Sequence, residues 1–559
     1  MSEPAERQQD EPDRGTVPGT VAGGVLVLLS ITLIGILVVA NAFVLDVVLG
    51  RFDLTLVAIL SGTEVVLVAG TLVCWPGLRP AVRWHWLEVL GMLAVGGVFL
   101  AHAIYLAPAD GMPVSFSVDC SHQHLLVNYI YQHDSFPDNV TYLYIYDDYP
   151  VGPSALAAFL AQLLGVLPAQ TMYPFAALLV AVQVMLAYGI SLELLPRSPE
   201  SQVWAAVAML MVFLVYSYSV RVFAANFYSN MILGDLIVLL ALWMTVVRER
   251  LHSLLVAGIT LGLALGCLNS YPVWLPFVVL PLIASMLRDR RMLLRRRLAV
   301  VSIVAGVIAI LAIIAVVDQW DFITWFTPSR DRRLMPSVES LGGVLLVFVA
   351  WGVWAWFRNW KRLPGFTLFL VIDAALVVAL YGAAILDKLT LYIPDKTFYF
   401  NVFIFLVLVA WGLDQAWRRW GSAGRLKDWM AGVALILVAL GVGVGVDLWF
   451  PRPADYPITL DEYRVAYQVS QEIPDAEFTY LVRTAATFYW IYGCTLNHTH
   501  DLTEQFQRWQ ANVPTYEGWI KDDATPRQAF VSNLTKLPQD GQWRILIQSG
   551  DSGVIEKIH

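Results

Sequence analysis

Apolar stretches long enough to cross a bilayer recur along most of this chain, and nothing else in it limits the fold as strongly. A helix crossing about 30 Å of hydrocarbon needs about 20 mostly apolar residues, and inside lipid a backbone must satisfy its own polar groups. Such runs fall near residues 22–49, 54–75, 87–106, 173–194, 202–218, 228–246, 252–267, 273–287, 298–317, 340–357, 366–386, 397–415 and 429–449. The length rule reads these as about thirteen spans. Only 14% of the residues are charged, 58% are hydrophobic and the mean hydropathy is +0.62. A soluble domain carries about 25% charged residues. The expected class is therefore an all-α polytopic membrane protein. The first residues are polar and acidic (Glu3, Glu6, Asp10, Glu11, Asp13) and lack the basic start of a signal peptide. The first apolar run is expected to remain as a span behind a cytoplasmic tail, residues 1–21. The formal net charge of −8 gives no ground for a nucleic-acid partner.

Basic residues gather in a few short loops. Arg288, Arg290, Arg291, Arg295, Arg296 and Arg297 form one group, Arg358, Lys361 and Arg362 a second, and Arg418, Arg419, Arg425 and Lys427 a third. Placing these groups in the cytoplasm makes the N-terminus cytoplasmic and turns the long loop after the third span outward. Residues 153–168 are apolar, but counting them as a span would put Arg248 and Arg250 outside. They are expected to form a helix lying at or dipping into the outer surface. The stretch Trp320 to Phe326 suits a second interfacial helix. Beyond about residue 450 the composition becomes ordinary and polar. Phe478–Val482 and Trp543–Ile547 alternate like strands, and Leu460–Glu472 and Leu502–Trp509 read as helices. The expected organisation is a membrane domain over 22–450, with an outer loop at 107–172, and an extracytoplasmic α/β domain over 451–559. Of four cysteines, Cys74 and Cys267 fall within or at the ends of spans, whereas Cys120 and Cys494 both fall outside, as a disulfide or as two separate thiols.

The outer loop is the chemical anomaly. It carries Asp119, His122, His124, Asp134, Asp147 and Asp148, with no Lys or Arg between residues 107 and 152. Acids held on a loop beside a bilayer call for a functional reading. An enzyme at the outer face can draw on a pre-activated, lipid-linked donor. If that donor is a sugar on a polyprenyl phosphate, the leaving group is already a stable anion and needs no general acid. The protein then supplies a base for the acceptor hydroxyl, a cationic grip for the phosphate, and positioning. Asp119 is the candidate base, in an extended small-residue stretch before the helix-like run Leu125–Tyr131. The alternative for Asp119 is an N-cap or a solvated acid. Asp147 and Asp148 compete for the role, or cap the helix after Tyr149-Pro150, or bind a cation. His122 and His124 are candidate substrate contacts; as metal ligands their spacing is weak, and polar packing is the simpler reading. No cofactor is required and no metal site is assigned, although a divalent cation is compatible with the acids. Candidate phosphate or sugar contacts at outer helix ends are Lys396, Arg221 and Arg330 (with Arg332 and Arg333), and Tyr271 with Asn269 and Ser270. For the cations the competing reading is contact with lipid headgroups.

The order Ser117-Val118-Asp119, then Tyr149-Pro150-Val151-Gly152, then an outer C-terminal domain, resembles the GT-C glycosyltransferases. More narrowly it resembles the actinobacterial arabinofuranosyltransferases that prime cell-wall galactan. The stretch Phe488-Tyr489-Trp490-Ile491-Tyr492-Gly493, the segment His498–Gln507 and Trp519 are similar to that family's terminal domain. Val151 stands where the family pattern has a second proline. The resemblance implies that Asp119 is the base and that a polyprenyl-phosphate sugar is attacked with inversion. It implies an acceptor that is a cell-surface glycan or glycoconjugate. The competing class is a transporter or flippase of lipid-linked glycans. That class predicts ionisable residues deep in the spans and matched halves; Asp235 and Asp373 are the clearest mid-span acids, and the halves do not match.

Overall fold

The computed structural model describes residues 20–114, 118–135, 150–211, 227–289, 293–318, 343–420, 456–474, 476–495 and 502–558. A short strand, β1 (Thr20–Ala22), leads into α1 (Gly23–Phe43), which a π-helical turn extends to Val48. Then come α2 (Leu54–Cys74), strand β2 (Ala81–Arg83), which pairs in parallel with β1, and α3 (Trp86–Leu106). The segment between α3 and the next long helix contributes α4 (Val118–His133) and α5 (Gly152–Leu164). The remaining membrane-domain helices are α6 (Pro168–Leu194), α7 (Pro199–Leu210), α8 (Ser229–Val247), α9 (Ser253–Leu268), α10 (Leu275–Leu287), α11 (Leu294–Asp318), α12 (Gly343–Asn359), α13 (Pro364–Ile385) and α14 (Tyr392–Trp420).

Among the described residues, eight helices are long and apolar enough to cross a membrane: α1, α2, α3, α6, α8, α11, α13 and α14. Three of them, α6, α8 and α14, are almost wholly buried and form the centre, whereas α2, α11 and α13 expose most of their surface. That exposed surface is apolar, as a lipid-facing surface must be. The helices α9 and α10 are shorter apolar helices packed on α8. The span read at 429–449, the end of that at 202–218 and the interfacial helix at Trp320–Phe326 lie outside the described residues. Helix α5 has 13 residues, or about 20 Å of rise, too short to cross. Gly165 closes it in the left-handed region at φ 63°, a conformation that suits glycine, and the chain turns back into α6.

Two sets of polar contacts mark the two ends of the bundle. At one end, Glu193 of α6 accepts the Ala22 N–H at 2.9 Å and pairs with Arg83 at 3.4 Å and with Arg250. At that end too, Arg248 pairs with Asp289 at 2.7 Å, and Asp414 accepts from Ser201 and Arg418. At the other end, Thr55 donates to Asp134 at 2.9 Å and Gln170 to the Asp110 carbonyl at 2.9 Å. Each set joins segments that the charge alternation assigns to one side.

The C-terminal domain rests on the second end, where the Tyr456 hydroxyl donates to the Leu106 carbonyl at 3.3 Å. It contains α15 (Leu460–Glu472), β3 (Phe478–Leu481), α16 (Ala485–Thr495), α17 (Leu502–Ala511), α18 (Tyr516–Lys521), β4 (Gln528–Val531), β5 (Trp543–Ser549) and β6 (Ser552–Lys557). The sheet order is β3-β4-β6-β5, with β3 parallel to β4 and the other pairs antiparallel. The helix α15 is specified locally. Thr459 and Glu462 form a reciprocal capping box, and Arg483 holds the Glu462 carboxylate through two bonds of 2.8 Å. The strands at Phe478 and Trp543 fall where the alternation placed them.

Candidate active site

The site is built where the chain returns to the bundle at the start of α5. Pro150, Val151 and Gly152 are held from below by two asparagines. Asn230, in the first turn of α8, donates to the Pro150 carbonyl at 2.7 Å. Asn269, just past α9, accepts the Val151 N–H on Oδ1 at 3.1 Å and donates from Nδ2 to the Val39 carbonyl at 2.9 Å; its own carbonyl accepts the Gly152 N–H at 3.0 Å. A Cβ at Gly152 would overlap Val39 and the Asn269 carbonyl, so glycine is what lets the chain approach this closely. The Asn269 amide thus gives one N–H and one oxygen lone pair to the backbone, which makes it a staple between α5 and the bundle.

Asn269→Ala strips the partner from the buried Val151 N–H, at a cost of about 1–3 kcal/mol, and removes the second contact of the Val39 carbonyl, which keeps its helical bond. A loss of about 2 kcal/mol is expected, seen as a lower melting temperature in detergent; an unchanged melting temperature would remove the staple assignment.

Next to this staple stands Lys396, in the first turn and a half of α14. Its Nζ donates to the Tyr271 hydroxyl at 3.1 Å and lies 5.1 Å from the Tyr271 ring and 4.1 Å from the Tyr392 ring. Among the described residues no carboxylate lies within salt-bridge distance of it. Two aromatic faces stabilise the ammonium without neutralising it. The Tyr271 ring packs 5.0 Å from Trp274, whose Nε1–H donates to Asp235 at 2.8 Å. Burial pushes the Tyr271 phenol above its usual value, so it stays protonated. It accepts from Lys396 and keeps its own proton to donate. An ammonium and a phenol side by side suit an oxyanion, a phosphate above all.

Helix α4 lies over this end. It starts at Val118, so Asp119 stands in its first turn and not in an extended stretch. The reason is burial: Cys120, His124 and Val127 repeat at helical spacing on the packed face, which carries the helix back beyond Leu125. The side chains of Asp119 and His122 lie outside the described set, as do residues Asp147, Asp148, Tyr149, Arg221 and Arg330. So does the Cys494 side chain, and with it the pairing with Cys120. One turn after Asp119, the buried Gln123 accepts from Ser154 of α5 at 3.3 Å.

His124, counted as a candidate substrate contact, is fully buried against the C-terminal domain instead. Its Nε2 shares a 2.8 Å hydrogen bond with the Tyr463 hydroxyl, and its ring lies 4.7 Å from that of Trp490. Burial lowers its pKa from 6.5 to about 3. The unfolded chain therefore binds this proton and the folded chain does not over that interval, and stability is lost as pH falls from about 6.5 towards 3. At pH 5 the loss is about 2 kcal/mol. Melting temperatures across this window should show a decline that His124→Gln removes; an identical decline in that variant would assign it elsewhere.

No protein-family model matches the sequence, and neither does any curated protein. Solved structures do superpose. The archaeal oligosaccharyltransferase AglB from Archaeoglobus fulgidus, in complex with an inhibitory peptide and a dolichol-phosphate, is 12% identical with a TM-score of 0.44; the match covers 75% of this chain and 65% of that one. This chain thus spans under two thirds of AglB's length. ArnT from Cupriavidus metallidurans bound to undecaprenyl phosphate is 16% identical with a TM-score of 0.45, covering 84% of this chain and 97% of that one. Apo ArnT is 17% identical with a TM-score of 0.44 over the same shares. At such identities every residue role must be read from this chain's own geometry.

The sequence offers Lys396 and Tyr271 separately, and the structure joins them. The sequence does not single out Tyr392, one helical turn before Lys396, or Asn230, and it offers Asn269 as a sugar contact without showing its backbone partners, which lie far away in sequence.

Proposed function

We propose that this protein is a membrane glycosyltransferase of the GT-C type that takes a sugar from a polyprenyl-phosphate donor at the outer face. The reading is carried by one observation: the ammonium of Lys396, caged by Tyr271 and Tyr392 with no described carboxylate at salt-bridge distance, at the end of the bundle where α4 and its Asp119 lie. Such a cation is placed to receive a lipid phosphate entering from the bilayer, while the sugar meets the loop above. The acceptor hydroxyl oxygen attacks the anomeric carbon, the bond from that carbon to the phosphate oxygen breaks, and the hydroxyl proton passes to Asp119. The phosphate leaves as an anion beside Lys396 and Tyr271, so configuration inverts and no general acid is needed. The resemblance of the loop and terminal-domain motifs favours arabinofuranose as the sugar and a cell-surface glycan or glycoconjugate as the acceptor. It favours an extracytoplasmic C-terminal domain.

The deciding experiment is transfer by the purified protein in detergent. Arabinofuranosyl and hexosyl polyprenyl phosphates are supplied with glycan acceptors, and new glycosidic product and released polyprenyl phosphate are measured together. Product in equal amount to released lipid supports the proposal. Translocation of a lipid-linked glycan across proteoliposomes, with no bond formed in either format, would replace it with the transporter reading.

A further inference from the structure

The C-terminal domain grips α4 along one stripe. The first contact is His124 with Tyr463 and Trp490: the 2.8 Å hydrogen bond, an edge-on ring pair at 5.3 Å and a tilted one at 4.7 Å. The second comes two turns later, where Tyr131 meets Tyr467 at 6.3 Å and Gln132 donates to Ser470 at 3.3 Å. Positions 124, 131 and 132 share one helical face. Tyr463 is itself fixed, because its neighbour Glu462 is buried and held by both the capping box and Arg483. On its other side α4 meets α5 through Gln123 and Ser154. Apolar side chains would dock a domain onto a helix without a buried hydroxyl–imidazole bond. A directional bond in an apolar interface fixes register, because a slip or rotation of α4 leaves two buried polar groups unmatched.

We infer that Tyr463, acting through His124, is a positioning residue for the transfer reaction: the C-terminal domain sets the register of α4 and thereby the place of Asp119. The inference rests on the proposed reading of Asp119 as the base. A base displaced by about 1 Å loses up to about a hundredfold in rate while the lipid phosphate still binds. The effect should therefore fall on kcat and spare the donor KM.

The test uses the full-length protein and an arabinofuranosyl polyprenyl-phosphate donor. Tyr463→Phe and His124→Ala should each lower kcat about ten- to a hundredfold and change the donor KM less than about twofold. His124→Gln, whose amide reaches the place of Nε2, should restore most of the rate. Gln132→Ala, at the far contact of the same interface, should lower kcat no more than about twofold. Wild-type kcat in Tyr463→Phe, or equal losses in His124→Gln and His124→Ala, would overturn the inference. Hydrogen exchange over residues 118–133 supplies a readout independent of turnover: faster exchange in Tyr463→Phe is expected, and unchanged exchange also overturns it. Wild-type activity in Asp119→Asn is a separate failure, of the base assignment itself.

Discussion

Asp119→Asn is expected to lower transfer by between about 10²- and 10⁴-fold, the range that general-base catalysis supplies. The exchange keeps size and hydrogen-bonding shape and removes only the capacity to take a proton. It should leave the melting temperature and donor binding close to wild type. The place of Asp119 suits the role. It stands in the first turn of α4, one turn before the contact that ties this helix to α5. Gln123, one turn on, ties that turn to α5, and Asn269 ties α5 to the bundle beside Lys396. The acceptor hydroxyl would thus lie between a base on α4 and a phosphate held from below. The measurement is single-turnover transfer with enzyme in excess over donor. A folded variant retaining more than about a third of the wild-type rate would move the base to Asp147 or Asp148, where the same exchange should then abolish transfer.

The reasons for the fold were legible unevenly. Spans were readable because the bilayer imposes a length and an apolar composition that no tertiary contact can rewrite. The short apolar run at α5 was separable from them because counting it as a span broke the charge alternation. The terminal domain declared itself by a change in composition and by alternation at Phe478 and Trp543. The start of α4 was not legible, because the buried face at that point is a cysteine and a histidine, which a hydropathy pattern scores as weak or polar. His124 reads locally either as a substrate contact or as polar packing, and its burial against Tyr463, 339 positions away, shows the packing and its partner. The staple at Asn269 and the cage at Lys396 join residues 118 and 125 positions apart. Local periodicity holds no record of such pairs. What the sequence did show was the oddity of each partner alone: a lysine at the mouth of a span, a loop without a cation.

Lys396→Met is expected to lower transfer by about 10²- to 10³-fold, comparable with the loss of one preorganised donor at a developing anion. Methionine fills a similar volume and leaves the rings of Tyr271 and Tyr392 a partner to pack on, so the fold should persist. The charge is what disappears. As the bond to phosphate breaks, negative charge grows on the leaving oxygen, and an ammonium in surroundings of low dielectric stabilises it more than it stabilises the donor's single charge. The loss should fall mainly on kcat, with a smaller rise in donor KM. Lys396→Arg is a sharper probe. The cage that closes on Nζ at 4.1 Å from the Tyr392 ring and 3.1 Å from the Tyr271 hydroxyl fits a compact ammonium, not a planar fork. Arginine should therefore restore the charge and recover less than about a tenth of the rate. Full recovery by arginine would show that net positive charge at this helix end suffices, as a contact with lipid headgroups requires. Wild-type turnover in Lys396→Met would remove Lys396 from the phosphate site and leave the cage as packing.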